Sequence, residues 1–419
     1  MGNPDVPKCF YVSRACFMKE LATHSAPIRV ATFTTLYPNE LQTRHGIFTE
    51  QRQRRLVESG QAEVRVIAPI PSFPLSETIT GYKELVHIPS YERRFDIDIA
   101  HPRYRVIPKV GMLLQPLSLA RCGLRAFEEL SASGYHADII DAHYFYPDGV
   151  AAVWLGRRLG IPVMVTALGS DINLIAKYRI PRKMIKWAAL NCSRAVTVSQ
   201  ALKDELIRIG VPETHIDVLR NAVDLEMFSP LNKQECRRQI GVTGQVLLSV
   251  GLLDRKKGHD LAIKALQSLP KAQLIIVGEG PDEQRLQRLT QTSGLEERVH
   301  FVKTVPQEQL SAYYSAADVL VLASEREGMP HVVLEALACG TPAVATAVGG
   351  VPEIIVAPEA GVMVYQRTAA AIADGVDRLI GRSLRREDTR RLAESFGWPT
   401  VTAKQLRLYS EIIAAREVP

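Results

Sequence analysis

The sequence predicts an α/β protein of two doubly wound domains, and three observations carry that prediction. The chain has 419 residues, 46% of them hydrophobic, enough for two cores of ordinary size. Residues 28–33 read as a buried strand, residues 48–60 as a helix closed by a glycine, and residues 62–69 as a second strand. The alternation restarts near residue 233, where a helix precedes the strand 246–251. Strands that alternate with helices imply crossover units and a parallel sheet.

Composition narrows the function classes. The formal net charge of +6 suits phosphorylated ligands or an anionic membrane surface, and no pattern points to nucleic acid. The six cysteines, at 9, 16, 122, 192, 236 and 339, show no CxxC or Cys/His spacing. They read as reduced thiols of a cytoplasmic protein without a metal site. No run of 18 or more uninterrupted apolar residues occurs, so no spanning helix is expected. Residues 1–27 lack an apolar signal core and a cleavage site, and read as a poorly structured leader, with Met18 as an alternative start.

Residues 34–46 form the polar loop after the first strand, with Pro38, Asn39 and Gly46. In doubly wound sheets ligands lie beyond the carboxyl ends of the strands, which is where this loop falls. Residues 72–116 are irregular and carry Tyr91, Arg93, Arg94, His101, Arg103, Tyr104, Arg105 and Lys109. A helix over 121–130 and a strand over 137–143 follow. Asp148 and Gly149 open the next helix, and the strand 161–166 ends in Ala-Leu-Gly-Ser-Asp over 167–171. Helix 180–190 carries Arg182, Lys183, Lys186 and Trp187, with Lys177 and Arg179 upstream. It reads as a solvated face or as a basic, aromatic surface for an anionic membrane. The strand 195–199, a helix to Gly210 and the strand 216–221 complete a first domain over 28–223; the second spans 224–399.

In the second domain, Leu252-Leu-Asp-Arg-Lys-Lys-Gly258 follows the first strand. It lacks the spacing of a P-loop but places cations at the carboxyl end of a strand. Strands over 274–277 and 299–302, a helix over 310–316 and the strand 318–324 lead to Glu327. Glu327 and Glu335 stand with seven residues between them. Pro330 favours a helix start and Gly340 with Pro342 a stop, which predicts a helix over 330–339. Glu327 then sits beside unpaired helix amides that suit a pyrophosphate. Glu335 lies among Val332, Val333, Leu334, Leu337 and Ala338. A lone buried carboxylate is costly, so Glu335 is either at a wet helix margin or partnered. A carboxylate also accepts both hydrogen bonds of a vicinal diol such as ribose. Gly349-Gly350-Val351-Pro352-Glu353 follows a strand over 343–346.

The block from Ser324 to Glu353 resembles the signature of glycosyltransferase family 4, the large retaining group of the GT-B class: an acid, Gly, any residue, Pro, a second acid on a helix, a small-residue turn, a strand, and Gly-Gly-x-Pro-Glu. The resemblance covers nearly everything from Ile28 onward. It implies two Rossmann-like domains facing across a cleft, with residues 400–419 packing back on the first. It implies transfer of a sugar from a nucleotide-diphosphate donor, with no metal and no other cofactor. Glu327 would hold the sugar, Lys257 the phosphates and Glu335 the ribose, with Gly46, Gly169, Asp171, Gly328 and Met329 lining the donor. His143 also matches the family, but reads as a satisfied structural histidine. The variable part of the first domain, within 72–116, would face the acceptor or lipid headgroups. Tyr37-Pro-Asn and Gly-Ser-Asp-Ile-Asn173 look most like bacterial enzymes of teichuronic-acid type. That implies a polysaccharide or lipid-linked acceptor and peripheral contact with the inner face of the membrane. The sequence departs from the family at Leu168 for His, Leu252 for Arg, Ala222 for Gly and Lys303 for Gly. Arg255 or Lys256 would then supply the charge missing at 252. A nucleotide-sugar epimerase and a binding-only homologue are the competing readings.

Overall fold

The computed structural model describes residues 26–72, 83–106 and 111–417. The leader, Met18 and Lys109 therefore lie outside the described residues. Two sheets organise the chain. The first comprises β1 (Ile28–Phe33), β2 (Ala62–Ile67), β4 (Tyr91–Arg94), β5 (Ile97–Ala100), β7 (Ile139–His143), β8 (Val163–Ala167), β9 (Arg194–Thr197) and β10 (Ile216–Val218), in the order β10-β9-β8-β7-β1-β2-β5-β4. Every pair is parallel except the edge pair β4–β5. A separate ribbon joins β3 (Ile70–Ser72) to β6 (Arg103–Arg105). The second sheet runs β13-β12-β11-β14-β15-β16 and is wholly parallel. Its strands are β11 (Gln245–Val250), β12 (Ala272–Val277), β13 (Val299–Val302), β14 (Val319–Leu322), β15 (Ala343–Thr346) and β16 (Gly361–Val364).

Burial explains the composition of the strands. The central β7 and β8 are buried at every residue, as a parallel sheet covered on both faces requires. The edge strand β4 exposes Tyr91 and Arg93, and charge on an edge discourages pairing with other chains. The stretch 72–116, expected to be irregular, holds the short strands β4, β5 and β6, too brief and too charged to show a period-2 signal. The helix expected over 330–339 is His331–Ala338, with Pro330 extended at its cap and Cys339 just past its end.

The chain crosses between sheets side by side in both directions. Val223 N–H donates to the Phe396 carbonyl at 2.9 Å, and Val223 bridges to Gly397. The helix Trp398–Glu417 then lies on the helix Ile47–Glu58 of the first sheet. Trp398, Val401, Leu406 and Tyr409 are buried with Val30, Tyr37 and Leu56. Tyr409 Oη donates to Asp141 Oδ2 at 2.7 Å, and His143 Nε2 lies 3.0 Å from the same oxygen. His143 is thus a satisfied core histidine, fixed to the returning helix through Asp141.

Candidate active site between the two sheets

The two sheets direct the carboxyl ends of β1, β7, β8, β11, β14 and β15 toward one another, and the loops after these strands make the site. Gly258 sets the geometry on the second sheet. Its φ is +73°, and a Cβ there would come within 2.1 Å of the Ala323 carbonyl oxygen. Only glycine allows the loop after β11 to lie against the end of β14. Lys257, one residue earlier, therefore reaches the loop after β14. Its Nζ donates to Glu327 Oε1 at 2.7 Å, and Ser324 Oγ donates to the same oxygen at 2.6 Å. Glu327 is mostly buried and Lys257 a third exposed, so the pair is partly shielded from solvent.

The same loop meets the first sheet. A Cβ on Gly328 would come within 2.1 Å of the Leu168 carbonyl oxygen, and one on Gly169 would come within 3.1 Å of Gly328 Cα. Two glycine backbones thus pass in contact at the floor of the cleft. Asn173 Nδ2 donates to the Glu327 carbonyl at 3.1 Å, and Asn221 Nδ2 to the Met329 carbonyl at 3.0 Å. Glu353 ties the next loop across: Oε1 accepts from Gln200 N–H at 2.6 Å and Oε2 from Arg220 Nε at 2.9 Å. Among the described residues, neither the Gly328 nor the Met329 N–H meets a protein acceptor, so both amides remain available at the head of helix His331–Ala338.

Glu335 is not at a wet margin. It is 5% exposed, and Tyr314 Oη donates to Oε2 at 2.6 Å. Burial pushes its carboxyl up to about 7, against the opposing pull of the hydrogen bonds from Tyr314 and Gln307. Gln307 in turn accepts from Gln51 Nε2 of the first sheet's helix at 2.8 Å. At the start of the Glu335 helix, His331 stacks on Phe48 with ring centroids 3.4 Å apart. Burial, and then the nearby Arg52 guanidinium, push His331 down to about 3, so it is neutral.

Three further residues expected to line the donor have local structural roles or an exposed setting of their own. Asp171 is wholly buried; Oδ2 accepts from Phe145 N–H at 2.8 Å and Oδ1 from Gly169 N–H at 2.8 Å. Its carboxylate holds the Gly169 turn and does not face the cleft. Gly46, with φ +72°, has the Leu36 carbonyl 2.1 Å from where its Cβ would be. The glycine is required by the turn of its own loop into helix Ile47–Glu58. The side chain of Arg255 is 79% exposed, and its nearest acid, Asp282, is 3.8 Å away. Leu252, which stands in the expected Arg position, is 57% exposed on the same loop.

Other residues of the site carry no sequence signal of their own. Asp148 is buried and accepts from Thr35 N–H at 2.7 Å and Thr35 Oγ1 at 2.9 Å, anchoring the loop after β1; burial pushes it up to about 7. Tyr314 is as inconspicuous. Asx and Thr spacing after a strand hints at a held loop, but nothing local pairs Tyr314 with an acid 21 residues away.

Comparison with known proteins agrees with this architecture. Residues 46–227 match the family described as Glycosyltransferase Family 4, and residues 232–396 the family described as Glycosyl transferases group 1. The chain is 31% identical over 362 residues, 84% of this chain and 89% of the other, to the "Putative teichuronic acid biosynthesis glycosyltransferase TuaC" of Bacillus subtilis. It is 30% identical over 317 residues, 71% of each chain, to a D-inositol 3-phosphate glycosyltransferase of Mycobacteroides abscessus. Among solved structures, sucrose-phosphate synthase from Thermosynechococcus elongatus superposes with a TM-score of 0.75 at 21% identity, covering 93% of this chain and all of that one. Anabaena Alr3699/HepE in complex with UDP gives 0.69 at 19%, covering 92% and 100%. At these identities the structures speak to the fold.

Proposed function

The chain belongs to glycosyltransferase family 4, the retaining GT-B family, and from that premise we propose that it moves a hexosyl group from a nucleotide-diphosphate sugar to an acceptor hydroxyl in the synthesis of a bacterial cell-surface polysaccharide or glycolipid. The observation that carries this reading is the meeting of Lys257 and Glu327 at 2.7 Å beside the Gly169–Gly328 floor. One cation, one carboxylate and two available amides converge where the two sheets face each other. Lys257 and the Gly328 and Met329 N–H groups stabilise the leaving diphosphate, which needs preorganised donors in a water-poor site. Glu327 accepts hydrogen bonds from the sugar, and Glu335 from the ribose. The phosphate oxygen that leaves the anomeric carbon takes the proton of the attacking acceptor on the same face, which retains configuration. Among the described residues Glu327 is the acid paired with Lys257, and this reading gives the acceptor proton to the departing phosphate and not to a carboxylate base. The surface-polysaccharide assignment draws on the TuaC relative, described as acting in teichuronic acid biosynthesis. On this reading the enzyme works in the cytoplasm, peripherally at the inner face of the membrane. Among the described residues no helix is long and apolar enough to cross a membrane.

The test is a thermal-shift screen of the purified protein against UDP-, GDP-, ADP- and CMP-sugars, followed by hydrolysis of any hit. A donor at a hundredfold excess over Kd raises stability by about 2.7 kcal/mol, well within reach of the assay. One hit with slow hydrolysis supports the reading. Silence across the panel, or a hit never turned over with or without acceptor, refutes it.

A further inference from the structure

Two stretches of the first domain carry no acid. Residues 99–127 hold five Lys or Arg and no Asp or Glu, and residues 172–203 hold seven and none. In the fold the helices they contain come to the two sides of one buried segment. The helices Gln115–Ala132, Val150–Leu159 and Arg179–Asn191 pack side by side on one face of the first sheet. The first and third each lead into a strand, β7 and β9, so both helices begin at the carboxyl ends of the strands, the end that faces the cleft. Their starts flank the same buried segment, Phe145–Gly149, and Tyr146 Oη donates to the Met112 carbonyl at 2.6 Å.

The exposed side chains on these two helix starts are large and apolar. Met112, Leu113, Leu114 and Leu117 on one, and Tyr178 and Ile180 on the other, are 39–57% exposed. Isolated exposed leucines are ordinary, but six large apolar side chains on two helix starts that flank one buried segment call for an occupant. Lys177, Arg179 and Lys183 are exposed on the second of these starts. The acids nearest in sequence to the first start, Glu128 and Glu129, lie at the far end of helix Gln115–Ala132.

We propose that this rim, formed by Met112–Leu117 and Lys177–Lys183, docks on an anionic lipid bilayer, with the apolar side chains entering the headgroup boundary and the cations resting on it. Charge complementarity selects this occupant: an apolar surface edged by cations, with no acid in either described helix start, suits anionic lipid, whereas a second copy of the chain would set these cations against their like. Because the rim borders the cleft, docking presents the cleft mouth to an acceptor carried in the membrane. That purpose rests on the transferase reading; the docking itself does not.

The experiment is flotation of the full chain with vesicles of phosphatidylglycerol and phosphatidylcholine, and with phosphatidylcholine alone, at two salt concentrations. The wild type should float with the anionic vesicles, less so at high salt, and not with the neutral ones. The Leu113→Gln/Leu114→Gln variant and the Lys177→Glu/Arg179→Glu/Lys183→Glu variant should each bind at least about tenfold more weakly. Each should keep the wild-type melting temperature and donor-induced thermal shift, which establishes that it is folded with its donor site intact. Failure of the wild type to float with anionic vesicles, or unchanged flotation of both variants, overturns the proposal. So does a lipid-independent dimer that the same substitutions dissociate, which would give the surface to a second copy. If donors fail to bind but flotation behaves as stated, the transferase reading falls and the lipid surface stands.

Discussion

Lys257 Nζ donates to Glu327 Oε1 at 2.7 Å, although the two residues are 70 positions apart in the chain. The pair joins the loops that arrive from β11 and β14, and it presents a cation and a carboxylate to the same small volume. In the proposed reaction each residue keeps the other oriented for the donor, so their contributions should be coupled.

Lys257→Ala and Glu327→Gln should each lower kcat by about 10²–10³, the range for removing one preorganised electrostatic contact. The double variant should fall well short of the product of the two losses, because residues in contact are not additive. Single-turnover rates with saturating donor check this; full multiplicativity would mean the two residues act separately.

Glu335 gives a pH dependence with a defined sign. Its folded pKa of about 7 lies above the ordinary 4.5, so the folded chain holds a proton that the unfolded chain has lost between those values. Stability therefore falls as pH rises from about 4.5 to about 7, and the cost of the buried charge, of order 3 kcal/mol at most, is complete above 7. Glu335→Gln has no such cost. Its melting temperature relative to wild type should be higher at pH 8 than at pH 5, in paired thermal scans.

The same residue should govern nucleotide affinity in the opposite direction. A ribose diol donates to the ionised carboxylate, so wild-type affinity for the cognate nucleotide should rise through pH 7. Glu335→Gln should bind at least tenfold more weakly at pH 8 and show no such rise. Calorimetric titration at pH 6 and 8 separates the two; unchanged affinity in the variant removes the ribose role.

Gly328→Ala should damage transfer without unfolding either domain. Its Cβ would meet the Leu168 carbonyl at 2.1 Å, backbone against backbone, and the only relief is separation of the two loops. We expect at least a tenfold loss in kcat/KM with a melting temperature within a few degrees of wild type, whereas Gly60→Ala, where a Cβ meets nothing, should leave turnover intact.

Leu252→Arg tests a departure that faces solvent on the loop of Lys257. Leu252 is 57% exposed, so the longer side chain displaces no core. A several-fold gain in turnover would show that position 252 lacks a phosphate contact in the natural chain. No change would show that Lys257 and the Gly328 and Met329 amides already suffice.

The sequence by itself determined the two-domain α/β architecture, the Glu327–Glu335 spacing and the glycines at 169, 258 and 328. Hydrophobic period, helix stops and turn residues are properties of neighbours along the chain, and they survive without tertiary context. What each side chain meets was decided only by the fold. Asp171 had the look of a ligand-facing acid, but two amides of the turn before it, Leu168 and Gly169, and the Phe145 amide after β7 consume its carboxylate. Glu335 could be read as a wet helix margin until Tyr314, on another helix, gave its Oε2 a buried partner. Arg255 and Lys257 are two residues apart and equally charged, yet Gly258 pulls only Lys257 against the end of β14. Such outcomes depend on the approach of segments tens of residues apart, fixed by the packing of sheets and helices against one another, and no local pattern encodes them.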